Sequence, residues 1–114
     1  MNNKLRLVIN NNFGKKEFFF IKKELRSILN LNAQKVSSGD WKDYGLSINK
    51  KEVTFDIYQR SSEKPVYRIS KNLDPKRKDE KFYILDRNGL IVKKSENLDS
   101  LIKKVEWNRL RLIK

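Results

Sequence analysis

Any chemistry on this chain has to run on carboxylates, lysines, hydroxyls or backbone groups, because its 114 residues include no His and no Cys. That removes the Ser-His-Asp triad, the imidazole proton shuttle and His-ligated metals. It also removes disulfide frameworks, thiolate nucleophiles and Cys-held zinc or iron–sulfur centres. Four glycines and no GxxxxGK[ST] run leave no phosphate loop. The remaining catalytic option is a nuclease with carboxylate-held Mg²⁺ or Mn²⁺, which needs clustered acids on shared strands. Asp56 is its best acid, with Asp79, Glu80 and Asp86 as loose companions. The next strand offers Ser70 where another acid would help, so turn and loop roles explain these acids better. The reading is therefore of a non-enzyme that needs no metal and no cofactor.

The cations carry more information. There are 27 Lys+Arg against 14 Asp+Glu, a formal charge of +13. Residues 1–32 hold 7 basic and 2 acidic side chains, and residues 61–94 hold 10 and 5. Residues 33–60 are nearly neutral at 5 and 4, and residues 95–114 hold 5 and 3. On a first helix wound at about 100° per residue, Lys15, Lys16, Lys23 and Arg26 share one arc, with Phe19 among them. On a second helix, Lys103, Lys104 and Arg111 flank Trp107 in the same way. Lys76-Arg77-Lys78 forms a basic loop.

Cations interleaved with rings suit nucleic acid. Lys and Arg draw phosphates and release counterions, while rings stack on unpaired bases for about 1–3 kcal/mol each. Tyr58, with Arg60, and Tyr67, with Arg68, place further rings and cations on a sheet face, as RNA-binding sheets do. The expected function is nucleic-acid binding, with RNA or single-stranded DNA favoured because no helix-turn-helix pattern is present. The alternative is a small phage- or mobile-element-type inhibitor, or an accessory or assembly subunit, that docks on an acidic protein surface or a nucleic-acid-loaded complex. Such a protein would use the same charge for steering, plus an apolar anchor.

The elements that must position these residues follow from periodicity. Lys4–Asn10 alternates as a strand, and Lys15 to about Leu31 reads as a helix whose stripe is Phe18, Ile21, Leu25, Ile28 and Leu29. Residues 33–44 read as a loop with a turn at Ser37–Asp40, Trp41 and Tyr44 folding over the core edge. A hairpin about Lys50-Lys51 puts Leu46, Ile48, Val53, Phe55 and Ile57 on the buried face and Thr54, Asp56, Tyr58 and Arg60 on the other. Val66–Lys71 is a further strand. Arg87-Asn88-Gly89 joins the last hairpin. Ser95–Asp99 caps a second helix with the stripe Leu98, Leu101, Ile102 and Val105. Arg109–Lys114 echoes Lys4–Ile9 and reads as either a closing strand or more helix.

The order β-α-β-β-β-β-β-α gives a single α+β domain with a mainly antiparallel sheet of five or six strands. Phe82–Val105 resembles the closing strand–turn–strand–helix of thioredoxin-like proteins over about a fifth of the chain. Without Cys, the redox role of that family does not follow. The longest apolar run, Phe18–Ile21, is far short of the roughly 20 residues a membrane helix needs. Met1–Lys4 has no secretory character, so a soluble cytoplasmic protein is expected.

Overall fold

The computed structural model describes residues 17–59, 64–105 and 107. Within them the order is α1 (Lys22–Ser37), β1 (Asp43–Ile48), β2 (Glu52–Tyr58), β3 (Tyr67–Asn72), a 3₁₀ turn (Lys78–Glu80), β4 (Phe82–Asp86), β5 (Ile91–Ser95) and α2 (Leu98–Lys104). The five strands form one antiparallel meander in sequence order. The α+β class and the antiparallel sheet agree with the sequence reading. The described part starts with a helix, and the expected strands at 4–10 and 109–114 lie outside the described residues.

Two turns do what their residues dictate. In the last hairpin the Asp86 carboxylate accepts the Asn88 and Leu90 N–H groups, and Gly89 takes the left-handed φ of +82°. Only a residue without a Cβ adopts that conformation cheaply. In the first hairpin the Asn49 side-chain carbonyl accepts the Lys51 and Glu52 N–H groups. It brings Ile48 opposite Val53.

The register places Val53, Phe55 and Ile57 across from Lys71, Ile69 and Tyr67, and these across from Phe82, Ile84 and Asp86. Val53, Phe55, Ile57, Ile69, Phe82 and Ile84 are all buried on this face. Ile28 and Leu31 of α1 and Leu98, Leu101 and Ile102 of α2 complete one core with them. At about 25 cal/mol per Å² of apolar area, this single layer is the dominant stabilising term. Asn97 caps α2 as expected, its side-chain oxygen accepting the Ser100 N–H at 2.8 Å.

The first helix differs from its expected span. Residues 17–21 are not helical, and α1 runs on through the expected loop to Ser37. Its start is set by Glu24, whose carboxylate reaches back 2.9 Å to the Ile21 N–H. Its end is a Schellman motif, with Gly39 N–H to Val36 O and Asp40 N–H to Lys35 O, and Gly39 at φ +84°. The buried stripe is therefore Glu24, Ile28 and Leu31. Phe18 and Leu29 are exposed, and Phe20 is fully buried in their place.

A second difference concerns the sheet edge. Tyr44, Leu46 and Ile48 do share a face with the core residues of β2, but they stand 46, 46 and 62% exposed. Alternation fixes the face, and only a covering element makes it a core. Thr54 and Asp56, expected on an outer face, are buried on it at 6 and 4% exposure.

Candidate nucleic-acid interface

Two of the four rings expected to meet a ligand are structural. Tyr67 and Trp107 are 7 and 8% exposed and pack edge-on with centroids 5.0 Å apart. Trp41 closes a three-ring cluster, 5.5 Å from Trp107 and 6.4 Å from Tyr67. The Trp107 indole N–H donates to the Ile102 carbonyl. Trp107 thus seals the end of the core, as its large apolar surface favours. Tyr67 follows its strand's period of two, which puts it beside Ile69 on the core face. Phe19 is half-buried and packs edge-on against Phe20 at 5.8 Å. Tyr58 is half-buried, its ring 4.0 Å from where a Cβ on Gly45 would stand. Of the four expected rings, Tyr67 and Trp107 are therefore closed off in the core, while Phe19 and Tyr58 keep partial exposure.

The cations sort into three environments. Lys15, Lys16, Arg60 and Arg111 lie outside the described residues. Lys23 and Arg26 are exposed on α1, and Lys103 and Lys104 on α2. Lys103 pairs with Asp99 one turn earlier at 3.2 Å. Between the helices, Lys23 and Lys81 border a hollow of about 210 Å³ together with Glu24, Glu96 and Asp99. Acids offset the cations there, so among the described residues this hollow is of mixed charge.

The polar face of the sheet holds Arg68, which lies 3.4 Å from the Asp56 carboxylate. That carboxylate also accepts the Ser47 and Thr54 hydroxyls, both at 2.9 Å. Asp56 thus holds three protein partners, and one oxygen of Asp86 is engaged by its turn. Among the described residues no three His, Cys, Asp or Glu side chains gather as a metal site.

A further group of exposed cations lies near one end of the sheet. Lys76, Arg77 and Lys78 are exposed on the loop that leads into the 3₁₀ turn, and that turn packs beside β5. Strand β5 carries Lys93 and Lys94, both exposed but on opposite faces of the strand, Lys94 on the side of Tyr83 and Lys93 on the side of Ile84. Lys94 also borders an open hollow of about 230 Å³ with Asn72, Glu80, Tyr83 and Ile91. Five cations thus flank one end of the sheet, opposed locally by Glu80 and by Asp79, which holds Arg77 at 3.4 Å. Exposed pairs of this kind are worth at most about 1 kcal/mol, so Arg77 is readily redirected to a phosphate. The sequence reading found the loop but missed Lys93 and Lys94. Their signal was a doubled lysine inside a strand already assigned.

One functional-looking group was missed altogether. Lys71 is 1% exposed, on the core face between Val53 and Phe82. Its ammonium donates to the carboxylates of Glu17 at 2.6 Å and Glu24 at 2.8 Å and to the Phe19 carbonyl at 2.9 Å. Three donors meet three acceptors, which is full satisfaction for a buried lysine. The same Glu24 oxygen also caps α1. The period-two series Tyr67, Ile69, Lys71 was the readable signal. Lys71 is inaccessible to a ligand and works as a tie between sheet and helix.

A family model described as "Protein of unknown function (DUF2794)" matches residues 18–102, from just before α1 into α2. No curated protein and no solved structure matches the chain.

Proposed function

We propose that this chain, which belongs to the DUF2794 family, binds nucleic acid through its phosphate backbone, with RNA or single-stranded DNA as the ligand. The observation that carries the reading is a cationic margin at one end of the sheet: Lys76, Arg77 and Lys78 lead into the 3₁₀ turn that packs beside β5, whose Lys93 and Lys94 are exposed on opposite faces of that outer strand. Such a surface acts by phosphate neutralisation and counterion release, a sequence-blind term that salt weakens. A flexible single strand can lay its phosphates along a loop and an edge strand, whereas duplex readers usually present a helix or ribbon to a groove. Because Tyr67 and Trp107 are spent on the core, charge supplies most of the affinity and base stacking little.

The test is a titration of labelled RNA, single-stranded DNA and duplex at two salt concentrations, before and after Lys76, Arg77 and Lys78 are changed together to Glu. The wild type should bind single strands with a steep salt slope. Each phosphate contact removed should flatten that slope by about 0.7 in log–log terms. Unchanged affinity and slope in the triple variant would sink the assignment of this surface.

A further inference from the structure

The two outer strands of the sheet are built differently. Strand β5 has a register shift against β4 at Ile84/Leu85 and carries Lys93 and Lys94. Bulges and edge lysines are how sheets discourage further pairing. Strand β1, Asp-Tyr-Gly-Leu-Ser-Ile, has neither: it pairs with β2 over six residues in unbroken register and holds no Lys, Arg or Pro. On its other side it pairs with no strand among the described residues.

The Asn49 N–H donates to the Glu52 carbonyl, so antiparallel alternation turns the backbone groups of Asp43, Gly45 and Ser47 toward β2. Those of Tyr44, Leu46 and Ile48 face outward. The Tyr44 N–H is already held by the Asp43 carboxylate at 2.8 Å. Leu46 and Ile48 keep outward N–H groups, and all three residues keep outward carbonyls, with no backbone partner on that side among the described residues.

We propose that β1 is a self-association edge, at which a second copy of this chain adds its own β1 antiparallel about a two-fold axis at Leu46. In that register Leu46 faces Leu46 of the second copy, and Tyr44 faces Ile48. About four backbone hydrogen bonds form without displacing the Tyr44–Asp43 bond. The exposed apolar row stays on one face of a continuous sheet across the axis. Within β1 the only charged side chain is Asp43, so no cation stands between the paired strands. The same pairing sets each Asp43 opposite Asn49 of the second copy and beside its Lys50-Lys51 turn, while Lys42 falls opposite Lys50, a repulsion that salt screens. This inference does not depend on nucleic-acid binding.

The test is sedimentation velocity on nuclease-treated protein at high salt, over about 5–500 µM, where an interface of this small area is expected to titrate. The wild type should pass from monomer to dimer. Leu46→Lys should raise the dissociation constant at least about tenfold with an unchanged circular dichroism spectrum, since its side chain is 46% exposed. Leu90→Lys, at a 63% exposed position beside the other edge, should change nothing. In a chain without cysteine, Leu46→Cys should oxidise to a disulfide dimer, because facing Cα atoms at about 5.5 Å lie within disulfide range. Leu90→Cys should not. A wild type monomeric throughout the range overturns the proposal, and so does a dimer that Leu46→Lys leaves intact. Strand titrations at low salt read the nucleic-acid assignment separately, so either can fail alone.

Discussion

Lys71 and the lysines around the 76–78 loop are the same residue type in opposite circumstances. Lys71 is buried, and all three of its protons are committed to Glu17, Glu24 and the Phe19 carbonyl. Lys76 and Lys78 stand exposed with no ion pair among the described residues. The difference teaches that a cation's position decides whether its charge supports the fold or faces a ligand. Inside, leaving two carboxylates without their cation is costly; outside, water and salt screen most of the charge.

The largest expected effect tests the buried side. Lys71→Met keeps the apolar stem but strands the Glu17 and Glu24 carboxylates, so stability should fall by about 3–5 kcal/mol in urea denaturation. Changing Lys76, Arg77 and Lys78 to Glu should move the same measurement by no more than about 1.5 kcal/mol, three surface changes of about 0.5 each. Equal losses in the two variants would erase the contrast.

Tyr83 lies between these extremes, half-buried on the polar face with its hydroxyl donating to Glu52. Burial, reinforced by the Glu52 carboxylate, pushes its phenol up to about 12. An unfolded tyrosine loses its proton near 10. Below about pH 10 both states keep the proton and the stability is complete. Between about 10 and 12 the unfolded chain deprotonates first, so stability falls as pH rises. Urea midpoints compared at about pH 9 and 11 should drop more in the wild type than in Tyr83→Phe. An equal drop would show that Tyr83 behaves like a surface group.

The smallest effect belongs to Lys103, whose side chain is 75% exposed and pairs with Asp99 along α2. Lys103→Ala should change the thermal midpoint by little, since such pairs contribute about 0.3–0.5 kcal/mol. A loss approaching that of Lys71→Met would break the ordering by burial.

Much of the fold was legible because its signals are local. Asp86 and Gly89 form a hairpin from their own chemistry, and Asn97 caps the helix three residues before Ser100. Leu98, Leu101, Ile102 and Val105 were correctly expected to be buried. The site was half legible. The loop at 76–78 shows itself as a run of cations between elements. The approach of β5 to that loop depends on a sheet that no local pattern encodes. Trp107 and Tyr67 looked like ligand-facing rings because helical angle and strand alternation describe a single element in isolation.

By itself the sequence determined the absence of imidazole and thiol chemistry, the cationic excess, the α+β class and the turns, since each follows from residue type or near-neighbour geometry. Tertiary structure alone decided that Lys71 goes inside and that Leu46 and Ile48 remain outside. The physical reason is that alternation assigns a side chain to a face, but burial depends on whether another element covers that face. At the outer strand β1 the helices leave it uncovered, while at β3 the first helix and the segment before it bring the Glu24 and Glu17 carboxylates onto a lysine.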